Sequence, residues 1–379
     1  MTLSPFSPRR FGAVLIKEFL QIKRERLTFA MAVGIPLLQL ILFGFAINAD
    51  PRNLPTAVRM ADDSVFARTI VRAVENTGYF RIDRIAASEA EAARWLAAGD
   101  VQFVLNVPPD FGRDVVRGTT PTVLMEADAS DPVATGSAFA ALVQLRQTAL
   151  DPDLKGPLAR PAAAGPPFAL EIHRRFNPEG ITAINIVPGL IGVVLTMTMV
   201  ILTSLGMTRE AERGTIETLL AMPIRPLEVM LGKIVPYILI GYVQVALILA
   251  AARWVFDVPF AGNVLLLLAL TAVFIAANLA VGFTFSTIAR SQLQAAQMAI
   301  FFFLPSILLS GFMFPFRGMP EWAQAIGEVL PITHFLRIVR GIMLKGTGLA
   351  EALPELWPLL GFILGVSAIA LWRYRRTLD

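Results

Sequence analysis

The chain has 379 residues, 55% hydrophobic and 16% charged, with no cysteine, two histidines and a formal net charge of +4. A soluble domain carries about a quarter charged residues, so this chain is charge-poor. Without cysteine there is no disulfide scaffold, no thiolate nucleophile and no thiolate-ligated zinc or iron–sulfur cluster. The two histidines, His173 and His334, stand far apart in the sequence, which argues against a histidine-rich metal site, and the small net charge gives no ground for a nucleic-acid partner.

Residues 1–27 come first. Phe11, Val14, Leu15, Phe19 and Ile22 recur at helical spacing, with Arg10, Lys17 and Arg24 on the other side and Glu18 inside the apolar stripe. This predicts an amphipathic helix with a basic face. Such a helix suits the cytoplasmic interface of a membrane or a solvated position, and the apolar segment that follows favours the interface. Residues 28–49 lie in a run, Leu27 to Ala49, without a charge. A helix crossing about 30 Å of hydrocarbon needs roughly 20 apolar residues, so this run reads as transmembrane helix 1. It starts too late and runs too long for a cleavable leader, and a spanning helix tolerates its Pro36.

Residues 50–180 read as a soluble insertion. Strand-like pieces at Pro55–Met60, Tyr79–Ile85, Val101–Val107 and Thr122–Glu126 alternate with helix-like pieces at Ser64–Asn76, Ser88–Ala98 and Pro109–Arg117. Ser88 and Glu91 have the spacing of a capping box. The alternation predicts a small α/β layer. A longer helix, Val133 to Thr148, follows, and the Pro-, Gly- and Ala-rich stretch 151–168 reads as a flexible connection.

Residues 181–379 hold five more charge-free runs: Ile181–Thr208, Ile234–Ala252, Val258–Ala289, Ser291–Phe316 and Leu356–Trp372. In lipid each backbone group must be satisfied within its own segment, so these runs should be helices. The expected fold is an α-helical polytopic membrane protein. It has six transmembrane helices and a large extracytoplasmic α/β domain between helices 1 and 2. With the N-terminus inside, the short inner segments carry fourteen Lys and Arg against five in the outer ones. Positive residues collect on the cytoplasmic side, so both termini are expected there. Between the last two runs, Pro320 and Pro331 divide a half-apolar stretch. It fits either a re-entrant pair of short helices over 317–346 or amphipathic helices on the outer surface.

The chain lacks a G-x-x-x-x-G-K-[ST] loop; Gly232-Lys233 has no upstream glycine partner and is followed by Ile234. It should not bind ATP phosphates itself. H-E-x-x-H and G-x-S-x-G are also missing. The amides Gln39, Asn185, Gln244, Asn278, Gln294 and Gln297 fall within the apolar runs, where such groups usually hydrogen-bond between helices. The inner loop Thr208 to Lys233 carries more information. Glu210, Arg213 and Glu217 alternate in sign at helical spacing, Ile216, Leu219 and Leu220 form an apolar strip, and Pro223 and Pro226 end the helix. A short charged helix under the membrane can receive force from a soluble partner or simply be a solvated loop helix.

At this loop the chain resembles the membrane subunits of ABC transporters of the ABC-2 (type V exporter) class, in the arrangement of bacterial putative multidrug exporter permeases. Four stretches carry the resemblance: RFNPE at Arg175–Glu179, VPGLI at Val187–Ile191, TREAERGTIETLLAMPIRPLE at Thr208–Glu228 and LPITHFLRIVRGIMLKG at Leu330–Gly346. The resemblance implies a permease in the bacterial inner membrane. It would act as a dimer with a second copy or a sibling permease, and with two copies of a cytoplasmic ATPase that binds ATP and Mg in place of this chain. Segment 208–220 would be the coupling helix, with Arg209, Glu210, Glu212, Arg213, Gly214, Thr215 and Glu217 at the ATPase contact. Residues 9–25 would be an interfacial elbow helix, and 317–346 the outer re-entrant pair.

Substrate would pass between two copies along the second and fifth spans, past Asn185, Met197, Met199, Phe301, Phe302 and Phe303, for which lipid contact or helix packing is an equal alternative. A pathway without charge favours hydrophobic or amphipathic compounds, moved by alternating access. The outer domain would be a gate, a lid or a dock for a periplasmic adaptor. Two other classes compete: a membrane-anchored sensor or scaffold using 50–180 as its receptor, and a lipid-modifying membrane enzyme. Against the first stand five further spans with almost no cytoplasmic output domain; against the second, inside loops that offer only the charges of 208–220 where clustered acid–base groups are needed.

Overall fold

The computed structural model describes residues 51–130, 132–158, 165–212 and 226–375. The expected elbow helix, transmembrane helix 1 over 28–49 and most of the coupling segment lie outside the described residues.

The first unit is a five-stranded sheet. In chain order its elements are β1 (Leu54–Met60), α1 (Val65–Asn76), β2 (Phe80–Ile85), α2 (Glu89–Ala98), β3 (Phe103–Val107), α3 (Phe111–Arg117), β4 (Thr122–Asp128), α4 (Pro132–Thr148) and β5 (Ala169–Arg175). The strand order is β2-β1-β3-β4-β5. β1 runs parallel to β2 and β3, β3 is antiparallel to β4, and β4 is parallel to β5. Helices α1, α3 and α4 cover one face, packing Ile70, Phe111 and Leu142 against Leu54, Phe103 and Leu105. Helix α2 covers the other, setting Leu96 against Ala57 and Val104. Both faces of β3 are covered, and all five of its residues are buried, as befits a central strand in a sheet layered on both sides. At α2, Ser88 Oγ accepts from the Glu91 backbone N–H, and Glu91 reaches back to the N–H of Ala87. Thus the box caps one residue further out than the standard arrangement.

β5 was not foreseen. Its sequence ALEIHRR carries too few apolar residues to announce a strand, and its edge position explains why. Only one of its sides is paired, and most of its side chains are partly or fully exposed. Among its described residues, the stretch read as a flexible connection holds a 3-10 turn, Gly156–Leu158, before this strand.

The second unit is a bundle. Helices α5 (Thr182–Glu212), α6 (Pro226–Trp254), α7 (Val264–Ile288) and α8 (Gln292–Leu309) are followed by the short α9 (Glu321–Val329) and α10 (Pro331–Arg340). A π turn at Gly341–Lys345 then leads to α11 (Leu349–Arg375). Five helices, α5, α6, α7, α8 and α11, are long and apolar enough to cross a membrane. Helix α7 is the hub, in contact with α5, α6, α8, α10 and α11. The apolar windows of α5 and α7 are 61% and 50% buried, those of α6 and α11 only 17% and 11%. So α5 and α7 form the interior, while α6 and α11 turn apolar surface outward. In water such surface would be costly; in lipid it is the expected exterior.

Small residues bring the inner helices together. A Cβ on Gly282 of α7 would lie 2.7 Å from Thr203 Cβ and 2.9 Å from the Val200 carbonyl oxygen of α5. Only hydrogen fits there, the usual device when lipid supplies no hydrophobic drive between helices. Polar bonds add to the packing. Thr198 Oγ1 donates to Gln244 Oε1 at 2.9 Å, and Tyr242 Oη donates to the Leu268 carbonyl at 3.0 Å. Asn278, by contrast, donates to its own helix at the Phe274 carbonyl. Helix α10 is enclosed by α5, α7 and α11, with Phe335 stacked on Phe274 at 4.0 Å between centroids.

Gly282→Ala should therefore force α5 and α7 apart. Overpacking of this kind costs about 1–3 kcal/mol, and thermal unfolding in detergent should register it as a lowered melting temperature. An unchanged melting temperature would mean that the two helices do not meet this closely.

Candidate functional site

The four sequence stretches that set this chain apart fall at two places in the fold. One is the joint between the sheet and the bundle. β5 ends at Arg175, whose guanidinium holds the buried Glu126 carboxylate at 2.5 and 2.8 Å. Asn106 donates to the second Glu126 oxygen at 3.3 Å. The chain then turns through Phe176 and Gly180, both with positive φ of 69° and 67°. The fully buried Asn177 closes that turn by accepting from the Ile181 N–H at 2.9 Å and donating to its carbonyl at 3.0 Å. Helix α5 begins at the next residue. RFNPE is thus a rigid elbow that fixes the angle at which the first long helix of the bundle leaves the sheet.

VPGLI and the 330–346 stretch meet directly. A Cβ on Gly189 would lie 3.3 Å from the Leu336 side chain and 2.7 Å from the nearby Phe312 ring, and Gly192, just past VPGLI, faces Phe335 and Ile332. From the end of the π turn, Lys345 Nζ reaches back to Asp128 of β4 at 2.5 Å and sits 5.4 Å from the Phe176 ring centroid. Arg317 donates to the Gly99 carbonyl at 2.6 Å. These bonds tie the sheet to the bundle around a cleft of about 880 Å³, walled by Arg81, Arg84 and Asp128 on the sheet side and by Arg317, Arg337 and Glu355 on the other.

Within this wall lies a charge cluster that no local sequence pattern announces. His334 on α10 is 4% exposed. Its Nε2 contacts the Glu328 carbonyl at 2.7 Å and its Nδ1 contacts Glu355 at 2.6 Å. Arg337 bridges Glu328 at 2.5 Å and Glu355 at 3.3 Å. A carbonyl only accepts, so Nε2 carries a hydrogen; the short contact at Nδ1 then requires a second proton shared with Glu355. Burial alone would lower the His334 pKa. The hydrogen bonds to Glu355 and to the Glu328 carbonyl outweigh burial and the nearby Arg337, and hold the pKa above its ordinary value of 6.5.

The second place is the far end of α5. The helix does not stop where its apolar stretch ends but continues through Thr208 and Arg209 to Glu212. Thr208 is buried and donates to the Ser204 carbonyl at 2.7 Å. Glu212 accepts from the Gln292 backbone N–H at 2.8 Å and from Gln292 Nε2 at 2.6 Å, while Arg209 Nε donates to Gln292 Oε1 at 3.2 Å. Arg213, Gly214, Thr215 and Glu217 lie outside the described residues, as does the side chain of Glu210. No local pattern flags Gln292, because its partners stand 80 and 83 positions away.

The pathway residues separate. Met197 on α5 and Phe301 on α8 are 46% and 41% exposed, whereas Met199 is wholly buried in the bundle core. Asn185 is buried near the start of α5. Phe302 lies edge-on to Phe285 at 6.0 Å, and Phe303 packs partly buried against the core. These six residues do not share one surface of the chain.

A raised histidine pKa makes stability depend on pH in a definite direction. The contribution of His334 is complete below the ordinary value of 6.5 and is lost as pH rises through the raised folded value. Melting temperature in detergent should accordingly fall from about pH 6 to about pH 9 more steeply for the native chain than for His334→Gln. Parallel pH profiles would show that the imidazole does not take up the second proton.

The sequence matches the model for the ABC-2 family transporter proteins over residues 26–372. It is 30% identical over 344 residues to the probable multidrug ABC transporter permease YbhS of Escherichia coli, an alignment that covers 89% of each chain. The inner membrane transport permease YhhJ of the same organism is 31% identical over 361 residues, covering 90% of this chain and 93% of YhhJ. YbhR, another probable multidrug ABC transporter permease, is 27% identical and aligns over 97% of this chain and 98% of its own. With the family match spanning nearly its whole length and five helices among its described residues long and apolar enough to cross a membrane, this chain is a membrane protein of the ABC-2 transporter family.

Proposed function

We propose that this chain is the membrane-spanning permease subunit of an ATP-driven exporter. It moves hydrophobic or amphipathic compounds, drug-like or lipid-like, out of the cytoplasm or the inner leaflet. Two copies of a separate cytoplasmic ATPase bind ATP and Mg, and this chain pairs with a second copy of itself or a sibling permease. Both termini are cytoplasmic, and the 50–180 domain is extracytoplasmic, where it can act as a gate, a lid or a dock for a periplasmic adaptor.

The observation that carries this reading is the unbroken helix α5. It leaves the apolar interior still helical and extends Arg209 and Glu212 beyond it. A rod of this kind delivers at one end a displacement applied at the other. The ATPase grips its continuation over 208–220, with Arg209, Glu210, Glu212, Arg213, Gly214, Thr215 and Glu217 as the contact. ATP drives the change because it binds the closed ATPase dimer better than the open one; a ligand shifts an equilibrium only by that difference. Alternating access follows as the spans tilt. Substrate passes between two copies along α5 and α8, where Met197 and Phe301 expose adaptable apolar surface, Phe302 and Phe303 stand beside it, and Asn185 and Met199 support it from behind. The multidrug permeases among its relatives favour this substrate class over sugars or simple ions.

The contact is testable by charge reversal. In a reconstituted complex with the ATPase, Glu210→Arg or Arg213→Glu should lower permease-stimulated ATP hydrolysis about tenfold, the scale of losing one interfacial charge pair. Stimulation equal to that of the native chain would remove these residues from the contact.

A further inference from the structure

The bonds around Gln292 do more than close a helix end. Ser291 caps α8 by accepting from the Gln294 N–H at 3.2 Å, and Gln294 accepts in turn from the Arg290 N–H at 2.5 Å. This leaves the Gln292 N–H among the first donors of the helix, with no partner inside it. The partner comes from another helix. Glu212, the last residue of α5, places its carboxylate there, where the charge also meets the positive end of the α8 dipole. The other carboxylate oxygen takes the Gln292 side-chain amide, and Arg209 takes the amide oxygen. Three hydrogen bonds, each with an ionised partner, therefore join the inner ends of α5 and α8 just where the proposed coupling segment begins. Above this clamp the same two helices pack along each other.

We infer that Gln292 is a positioning residue that makes the inner ends of α5 and α8 move as one body, so that displacement of the coupling segment reaches two spans at once. The inference rests on the coupling reading of 208–220. The ATPase touches α5 alone, and the clamp conveys its motion to α8. Hydrogen bonds to charged groups are among the stronger ones in proteins, and these cross between separate helices. Without the clamp, α5 would move and α8 would follow only through side-chain packing.

The lack of cysteine in the chain permits a direct test. A single cysteine at Leu202 on α5 or at Ile300 on α8, both exposed, takes a spin label. The distance between the labels of the two copies is then measured in the assembled complex, with and without ATP and vanadate. Both labels should shift in the otherwise native chain. In Gln292→Glu, two carboxylates face each other. The α5 label should still shift, while the equilibrium between resting and moved positions of the α8 label should fall about tenfold, for the loss of at least one charge-assisted bond. Combining Gln292→Glu with Glu212→Gln exchanges donor and acceptor around the clamp and should restore the α8 shift relative to the α5 shift, a ratio that a weaker ATPase contact at Glu212 does not change. Should Gln292→Glu fail to assemble, Gln292→Ala removes the two side-chain bonds of the clamp without repulsion, leaves only the backbone N–H on Glu212, and should separate the two labels in the same direction.

A full α8 shift in the single variant overturns the inference, as does failure of the exchange to restore it. So does equal loss at both labels with the ATPase still bound, which would make Gln292 part of the docking contact instead. Absence of any shift in the native complex would instead sink the permease reading itself.

Discussion

A helix crossing hydrocarbon has no water with which to replace a broken backbone bond. It therefore resists bending and carries a displacement from one end to the other. The organisation of this chain follows from that constraint. Helix α5 enters from the RFNPE elbow, locked by Asn177 and by the Arg175–Glu126 pair, and leaves 31 residues later with Glu212 fastened to α8. Both of its ends are held by polar bonds, and its middle lies against α7 through a glycine contact. What touches one end is mechanically joined to what lies at the other.

The bundle divides its labour accordingly. α5, α7 and α10 pack tightly and hold the aromatic stack of Phe274 on Phe335. α6 and α11 supply an apolar exterior. The ionisable side chains described in detail gather at the two ends. At one end Lys345, Asp128, Arg317, His334, Arg337 and Glu355 link the sheet, the short helices and α11. At the other stand Arg209 and Glu212. Charge placed at the ends rather than mid-span avoids the cost of ionised groups at the bilayer centre.

Much of this architecture is legible in the chain because it rests on local pattern. Among the described residues, five charge-free runs locate the five long apolar helices, and alternation of apolar strands with capped helices locates the layered sheet. The strand β5 escaped because an edge strand needs few apolar residues. Ser88 and Glu91 could be read because their bond spans three positions; the Gln292 clamp and the Lys345–Asp128 tie could not, because each joins residues some eighty or two hundred positions apart. His334 carries no local signal either, since its partner Glu355 stands 21 positions away, just ahead of the charge-free run Leu356–Trp372. Among the pathway residues, composition alone could not separate Met197 from Met199, because two positions on a helix turn the side chain from an open surface into the core.

In the proposed mechanism a separate ATPase grips the charged segment 208–220 at the inner end of α5. A photoreactive residue at position 217, placed in the full chain and expressed with the P-loop ATPases of its own cell, tests this most directly. A covalent adduct with one such ATPase should form through that position and diminish when Arg213 is reversed to Glu. An intact, membrane-inserted chain that captures no ATPase there, or one that does so equally well after the reversal, would contradict it.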